Sequence, residues 1–399
     1  MFESTFYNAI KIIEEIEAKG HRAYIVGGAV RDFLNDRKIH DVDIASSATP
    51  TEIQEIFTKV IPVGIEHGTV IVRYNHQSFE VTTFRTETGY TDYRHPDQVE
   101  FVRSIYDDLA RRDFTINAIA MDKKGKIIDP YSGKLDIERR LIRAVGNPED
   151  RFTEDPLRML RALRFVSQLD LEVEPATLTA ISKQIHLIKH LAIERISVEF
   201  EKMLAGANFR TALKLFKELN VWTYFPVLHF DRSLIKCLYD LPISLLKLYE
   251  CFAYLKMKDD QVDMKQLTKS FKQSKETFRN AEQLVTSLVE YKVDGLSNWL
   301  IYKFPESLYE SFFRLVKALF HSFVVGDLKA RRKHLAIQSR KELAVSGTDI
   351  IIWYPDRAKG QWIQTLLNRI EYAVVENQID NNIDAIKEWV NSCHPPENN

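Results

Sequence analysis

The glycines of this chain are so unevenly placed that they divide it before any other feature is weighed. Of 14 glycines, nine lie at or before Gly146, and the other five are scattered over everything that follows. Glycine serves turns and close backbone approaches and is costly inside helices. A glycine-rich front third followed by a glycine-poor remainder therefore predicts a mixed α/β head joined to a long helical stretch. Local patterns agree. Phe6, Ile10 and Ile13 fall at helical spacing, and Ala23-Tyr24-Ile25-Val26 runs as a strand into the Gly27-Gly28 turn. Thr49-Pro50-Thr51-Glu52 has the form of a capping box with proline at the first helical position, opening a helix through Ile56. Residues 69–74 and 78–84 are expected to pair as a hairpin about Asn75-His76-Gln77, with Glu80, Thr82 and Phe84 on one face. After Asp155 apolar residues recur every three or four positions, with Pro156 and Pro175 at helix starts. The expected fold class is α+β: an N-terminal mixed head containing a β-sheet, then an all-helical remainder.

At about 150 residues per domain, 399 residues imply two or three packing units. A composition of 45% hydrophobic and 28% charged residues excludes disorder and collagen-like or disulfide-built scaffolds. Cys237, Cys251 and Cys393 form no CxxC pair, so reduced thiols and a cytoplasmic location are expected. No apolar run is long enough to span a membrane, and the N-terminus lacks the pattern of an export signal. The formal net charge of -1 gives by itself no sign of a nucleic-acid partner. HPPENN at the end reads as a frayed tail, and helix breaks are expected near Gly206, Pro226, Gly295 and Gly326.

Asp41-Val42-Asp43 is the sharpest chemical feature. Side chains at i and i+2 of a strand leave the same face about 7 Å apart at the backbone, so two carboxylates so placed converge on hard divalent cations. A bare D-x-D also occurs on solvent-facing edge strands. Context separates the two readings: Val26-Gly27-Gly28-Ala29-Val30-Arg31-Asp32 lies just upstream, a strand ending in paired glycines whose backbone can approach a triphosphate, with Arg31 adding charge. Neither a GxGxxG nor a GxxxxGK[ST] motif occurs, which argues against a dinucleotide fold and a P-loop.

GGAVRD followed by HDVDIASSATP resembles the nucleotidyltransferase head of the DNA polymerase beta superfamily. More narrowly, it is similar to the class II tRNA CCA-adding enzymes and their poly(A) polymerase relatives. Arg111-Arg112-Asp113-Phe114-Thr115-Ile116-Asn117-Ala118 matches that family's second motif. The resemblance runs from about residue 24 to about residue 205. It implies a seahorse-like chain with a catalytic head over 1–146, a base-reading neck over 147–205, a body over 206–295 and a tRNA-binding tail over 296–399. It implies Asp41 and Asp43 as catalytic ligands of Mg²⁺. Gly27, Gly28, Arg31, Arg112, Asp113 and Asn117 would lie at the ribose and phosphates. Glu80 is a third candidate ligand, and an exposed strand glutamate reads equally well. The polar stretch after Arg85, residues 86–102, reads as a mobile loop, which in this family is linked to the final adenosine and favours complete C-C-A addition.

In the segment Asp155-Pro156-Leu157-Arg158-Met159-Leu160-Arg161-Ala162-Leu163-Arg164, the arginines recur every three residues. They make either a solvated helix face, with Asp155 as its cap, or a functional ridge. The resemblance assigns Asp155 and Arg158 to the incoming base, with Arg161 and Arg164 in support. The chemistry fits: cytosine and adenine both place an amine donor beside a ring-nitrogen acceptor, whereas uracil and guanine place a carbonyl beside a ring N–H. A carboxylate only accepts and a guanidinium only donates. Glu194-Arg195-Ile196-Ser197-Val198-Glu199-Phe200 resembles the family's last shared motif, which implies that Glu194 and Arg195 brace the neck. Residues 329–334, with Arg340 and Lys341, form a basic cluster open to two readings, an RNA track or a solvated helix face. His40-Asp41 is the one His-Asp dipeptide, so no appended metal phosphohydrolase domain is expected. The partners implied are tRNA, CTP and ATP. Rivals are a poly(A) polymerase, a CC-adding enzyme and a catalytically silent tRNA-binding protein.

Overall fold

The structure, a computed structural model, describes residues 2–225, 232–320 and 327–393; the breaks expected at Pro226 and Gly326 and the HPPENN tail lie outside them. The chain divides into two compact units, Met1–Ile235 and Lys236–Asn399.

The first unit opens with α1 (Phe2–Ala18), which buries Phe6, Ile12, Ile13 and Ile16 along one stripe. Then come β1 (Ala23–Val26), α2 (Gly28–Leu34), β2 (Asp43–Ser46), α3 (Pro50–Ile56), β3 (Val60–Gly64), β4 (Thr69–Tyr74) and β5 (Gln77–Thr83). The capping box of Thr49 and Glu52 forms as the sequence specifies. After β6 (Arg85–Thr88), β7 (Gln98–Phe101), α4 (Ile105–Ala110), β8 (Ala120–Met121) and β9 (Ile127–Ile128) comes α5 (Gly133–Glu138). One mixed sheet has the order β3-β4-β5-β2-β1-β8-β9. β2 runs antiparallel to β1 and parallel to β5, with Asp43 beside Glu80 and opposite Val26. The β4–β5 hairpin turns on Asn75 and His76 alone, at φ 45° and 61°, the left-handed pair that a two-residue hairpin loop requires.

Two local expectations change. β2 starts at Asp43, so Asp41 and Val42 lie before the strand and not on it. The stretch expected as a loop is a two-stranded antiparallel ribbon, β6 pairing with β7. Phe84 follows the end of β5 and is buried with Val26 and Ala45, which the register places on the face of Asp43 and Glu80, so Glu80, Thr82 and Phe84 share one face as the sequence specifies.

Next come α6 (Pro148–Glu154), α7 (Leu157–Leu169), α8 (Pro175–Gln184), α9 (Ile193–Leu204) and α10 (Phe209–Glu218). α7 is packed against α9 and α10. Gly206 permits the closest approach, since a Cβ there would meet the Ser167 backbone carbonyl at 2.5 Å. The buried pair of Arg164 and Glu199, 3.0 Å apart, ties α7 to α9.

α11 (Arg232–Tyr239) spans the division. The second unit is helical throughout its described residues: α12 (Leu248–Lys258), α13 (Met264–Ser270), α14 (Lys275–Asp294), α15 (Asn298–Lys303), α16 (Tyr309–Leu319), α17 (Leu328–Lys333), α18 (Gly347–Trp353), α19 (Gln361–Val375) and α20 (Ile383–Cys393). The basic cluster falls on and after α17. Arg332 donates to the carbonyls of Ile301, Tyr302 and Phe304, satisfying the open end of α15, and Arg340 pairs with Glu371 at 2.6 Å. These two arginines thus belong to neither of the readings offered by the sequence, while Lys329, Lys333 and Lys341 stay exposed. Among the described residues no helix is long and apolar enough to cross a membrane.

Candidate active site

The sheet register sets the site floor. Parallel pairing places Glu80 on β5 beside Asp43 on β2, and Asp41 lies two residues before Asp43. Asp43 stays open to the cleft, yet its carboxyl is pushed up to about 6. Burial at the cleft floor is the main cause, Glu80 and Asp41 add like charge, and Arg112 opposes them. This is a carboxylate group short of cation. Among the described residues no three His, Cys, Asp or Glu side chains close on a point as a metal cage would. Hard oxygen donors lacking a counter-charge, without a closed cage, fit a divalent ion that takes its remaining ligands from substrate phosphates.

One wall begins at the end of β1. Gly27 sits at φ 68°, and a Cβ there would stand 3.0 Å from the Arg112 guanidinium, so glycine answers both a backbone and a space requirement. A polar relay runs behind it. Arg31 donates to Asn117 Oδ1 at 2.7 Å, Asn117 Nδ2 donates to Asp113 Oδ1 at 3.0 Å, and Arg161 Nε donates to Asp113 Oδ2 at 2.8 Å. Burial would raise the Asp113 carboxyl, but the charge of Arg161 and the hydrogen bonds from Asn117 and Arg161 hold it well below the usual carboxylate range. Arg112 and Arg111 are both anchored by the buried Asp108, at 3.1 and 2.7 Å.

The opposite wall is the break between α6 and α7. Asp155 is extended there, ending α6 ahead of Pro156, and its Oδ1 accepts the Leu157 N–H at 3.1 Å. Its Oδ2 accepts from Arg195 at 2.8 Å. Arg158 is held separately: Glu154 takes one end of its guanidinium at 2.7 Å, and the Arg111 carbonyl takes the other at 3.1 Å. Asp155 and Arg158 are thus each fixed by a third residue. Arg164 stacks on Phe165 with 4.4 Å to the ring centroid, and burial lowers its guanidinium to about 10 in spite of Glu199.

The residues that the sequence assigns to metal, nucleotide and base, from Gly27 and Gly28 through Arg31, Asp41, Asp43, Glu80, Arg112, Asp113 and Asn117 to Asp155, Arg158, Arg161 and Arg164, line one cleft of about 810 Å³. The sequence leaves Glu154 unnamed and names Arg195 without its partner. Glu154 was detectable, because Glu at i and Arg at i+4 is a helical pairing pattern. Arg195 lines the cleft and braces the neck by holding Asp155; 40 residues separate the two, and no local pattern announces that partner.

Residues 23–143 match the family model described as "Poly A polymerase head domain", and residues 250–390 match tRNA nucleotidyltransferase domain 2. A CCA-adding enzyme from Oceanobacillus iheyensis is 40% identical over 407 residues, covering 100% of both chains. The chain belongs to the CCA-adding enzyme family. A second member, from Enterococcus faecalis, is 41% identical over 96% of this chain and 94% of its own. The crystal structure of the Bacillus stearothermophilus CCA-adding enzyme in complex with CTP superposes with a TM-score of 0.82 at 36% identity, covering 97% of this chain and 96% of that one. CCA-adding enzymes are tRNA nucleotidyltransferases, and the α+β head followed by helices is the architecture of the family. Nucleotidyl transfer of this type uses a divalent metal.

Proposed function

We infer that this chain builds the C-C-A end of tRNA, taking CTP twice and ATP once and releasing pyrophosphate each time. The observation that carries the reading is the single cleft: a cation-hungry carboxylate floor, a glycine-and-arginine wall, and an Asp–Arg pair all face one cavity of nucleotide size. In each cycle a bond forms between the tRNA 3'-oxygen and the α-phosphorus, and the α–β phosphoanhydride bond breaks. Asp41 and Asp43, with Glu80, would hold Mg²⁺, which when bound lowers the pKa of the attacking hydroxyl and neutralises the leaving phosphate oxygens. The Gly27-Gly28 backbone, Arg31 and Arg112 position the triphosphate. Asn117 and Asp113 hold Arg31 and Arg161 at their angles.

Asp155 accepts the exocyclic amine of cytosine or adenine, and Arg158 donates to the adjacent ring nitrogen. Arg195 and Glu154 keep the two from turning. Uracil or guanine would set a carbonyl against the carboxylate and an N–H against the guanidinium, leaving buried polar groups unpaired at about 1 to 3 kcal/mol each. Two side chains then replace a nucleic-acid template. In this scheme residues 1–146 catalyse, 147–205 choose the base, and 206–295 and 296–399 carry the RNA. We place the activity in the cytoplasm with its tRNA and nucleotide substrates.

A tRNA ending at its discriminator base, given CTP, ATP or both with Mg²⁺, tests the reading at single-nucleotide resolution. Expected are two added residues with CTP alone and three with both. A ladder of A from ATP alone would support the poly(A) polymerase reading that the head-domain match also allows. A stop at two residues would mark a CC-adding enzyme, and absence of any Mg²⁺-dependent label would mark a binding protein.

A further inference from the structure

We propose that a second cleft, on the far side of Glu80 from the glycine turn, seats the 3'-terminal nucleotide of the RNA primer. The proposal rests on the transferase reading above and assigns a place to its second substrate. This cleft has a volume of about 470 Å³, and its lining includes Val63, His67, Tyr90, Arg94 and His95. It opens into the main cleft and shares Thr69, Glu80, Arg85, Arg111, Asp155, Arg158 and Arg195 with it.

The sheet decides which side each substrate takes. Val26, next to Gly27, lies opposite Asp43; Asp43 lies beside Glu80; Glu80 lies opposite Ile71 on β4. The carboxylates therefore stand between the glycine turn and β4. Displacement at phosphorus needs the attacking and leaving oxygens roughly in line on opposite faces. With the leaving phosphates on the Gly27-Gly28 wall, the attacking hydroxyl must arrive from the β4 side, where the second cleft opens.

The lining suits a nucleotide. The His67 and His95 rings are within 13° of parallel with centroids 6.2 Å apart, and Asp92 anchors His95 at 2.7 Å. Aromatic and imidazole faces stack on any base, and arginines track the phosphodiester. The two sides of the cleft are joined, since Arg85 on β6 donates to the His67 carbonyl ahead of β4. Asp155 and Arg158 border this cleft as well. A primer seated here would place its last base against the base being chosen.

The test uses the full chain, CTP, and a short RNA hairpin carrying a tRNA acceptor end without C-C-A. Stacking contributes enough that His67→Ala and His95→Ala should each raise the KM for the hairpin about tenfold, while the dissociation constant for CTP without primer stays within twofold. In the unmodified protein, 4-thiouridine at the primer's last position should crosslink to residues 63–67 or 94–96, a readout that does not depend on any variant folding. An unchanged hairpin KM, a parallel loss of CTP affinity, or crosslinks only elsewhere would overturn the assignment. Failure of the unmodified chain to add any nucleotide would instead overturn the transferase reading, and it would be seen before any variant is made.

Discussion

Asp43 and Asp113 line the same cleft, yet their carboxyls are driven in opposite directions. On the head floor, burial, Glu80 and Asp41 push Asp43 up to about 6. On the wall facing the neck, Arg161 and Asn117 hold Asp113 well below the usual range although burial opposes them. The floor is left short of positive charge, and the wall is already neutralised from within. On the transferase reading proposed above, the difference separates two tasks: a group that would receive a cation from outside is crowded with its own kind, and a group that would hold others in place is given its counter-charge by the fold. The second unit supplies a third case, in which arginines such as Arg332 are spent on helix carbonyls and serve packing.

The largest test of this contrast is Asp43→Ala, which should reduce CTP incorporation on the order of a thousandfold or more by removing the cation's anchor; single-turnover kinetics on tRNA lacking C-C-A measures it. Asp113→Asn should act on the fold, since it strips Arg161 of its counter-charge. We expect a loss of about 2 kcal/mol and a Tm lower by about 4 to 8 °C near pH 7. Because the folded carboxyl is depressed, that stability is present above the ordinary carboxylate range and lost as pH falls, so the Tm gap should close below about pH 4. Arg195→Ala should leave Asp155 free to turn and lower the preference for CTP over UTP by about tenfold, with tRNA binding unaltered. The smallest effect is the most diagnostic. Asp43→Asn relieves a like-charge cluster, so without metal its Tm at pH 7.5 should rise by about 1 to 2 °C. The gain should appear as pH climbs from about 4 through 6, because the folded carboxyl is raised. Added Mg²⁺ should then raise the Tm of the unmodified protein and not that of this variant.

Where the determinants are local, the fold was legible in the sequence. Thr49 and Glu52 satisfy one another within three residues, and the Gly27-Gly28 turn and the D-x-D pattern need only neighbouring positions. The ribbon over residues 85–101 escaped because its strands carry Arg85, Thr86, Glu87 and Thr88 opposite Phe101, Glu100, Val99 and Gln98, which gives no apolar alternation to read. Asp41 reads as part of a strand because alternation of charge with Val42 and Ile44 cannot show where pairing begins, which is at Asp43. The site residues were found as types, yet their partners were hidden wherever the contact is tertiary: Arg195 to Asp155, Arg161 to Asp113, Arg332 to the end of α15. Sequence reported which groups carry charge, and packing decided which of them remain for a ligand.

If the neck chooses the base while the head performs the transfer, the ratio of kcat/KM for CTP to that for UTP in Asp155→Ala is the direct measure of that division. This ratio should fall by one to two orders of magnitude, corresponding to about 1 to 3 kcal/mol, with tRNA affinity intact. An unchanged ratio alongside a collapsed rate would contradict it, because Asp155 would then belong to the chemistry and not to the choice.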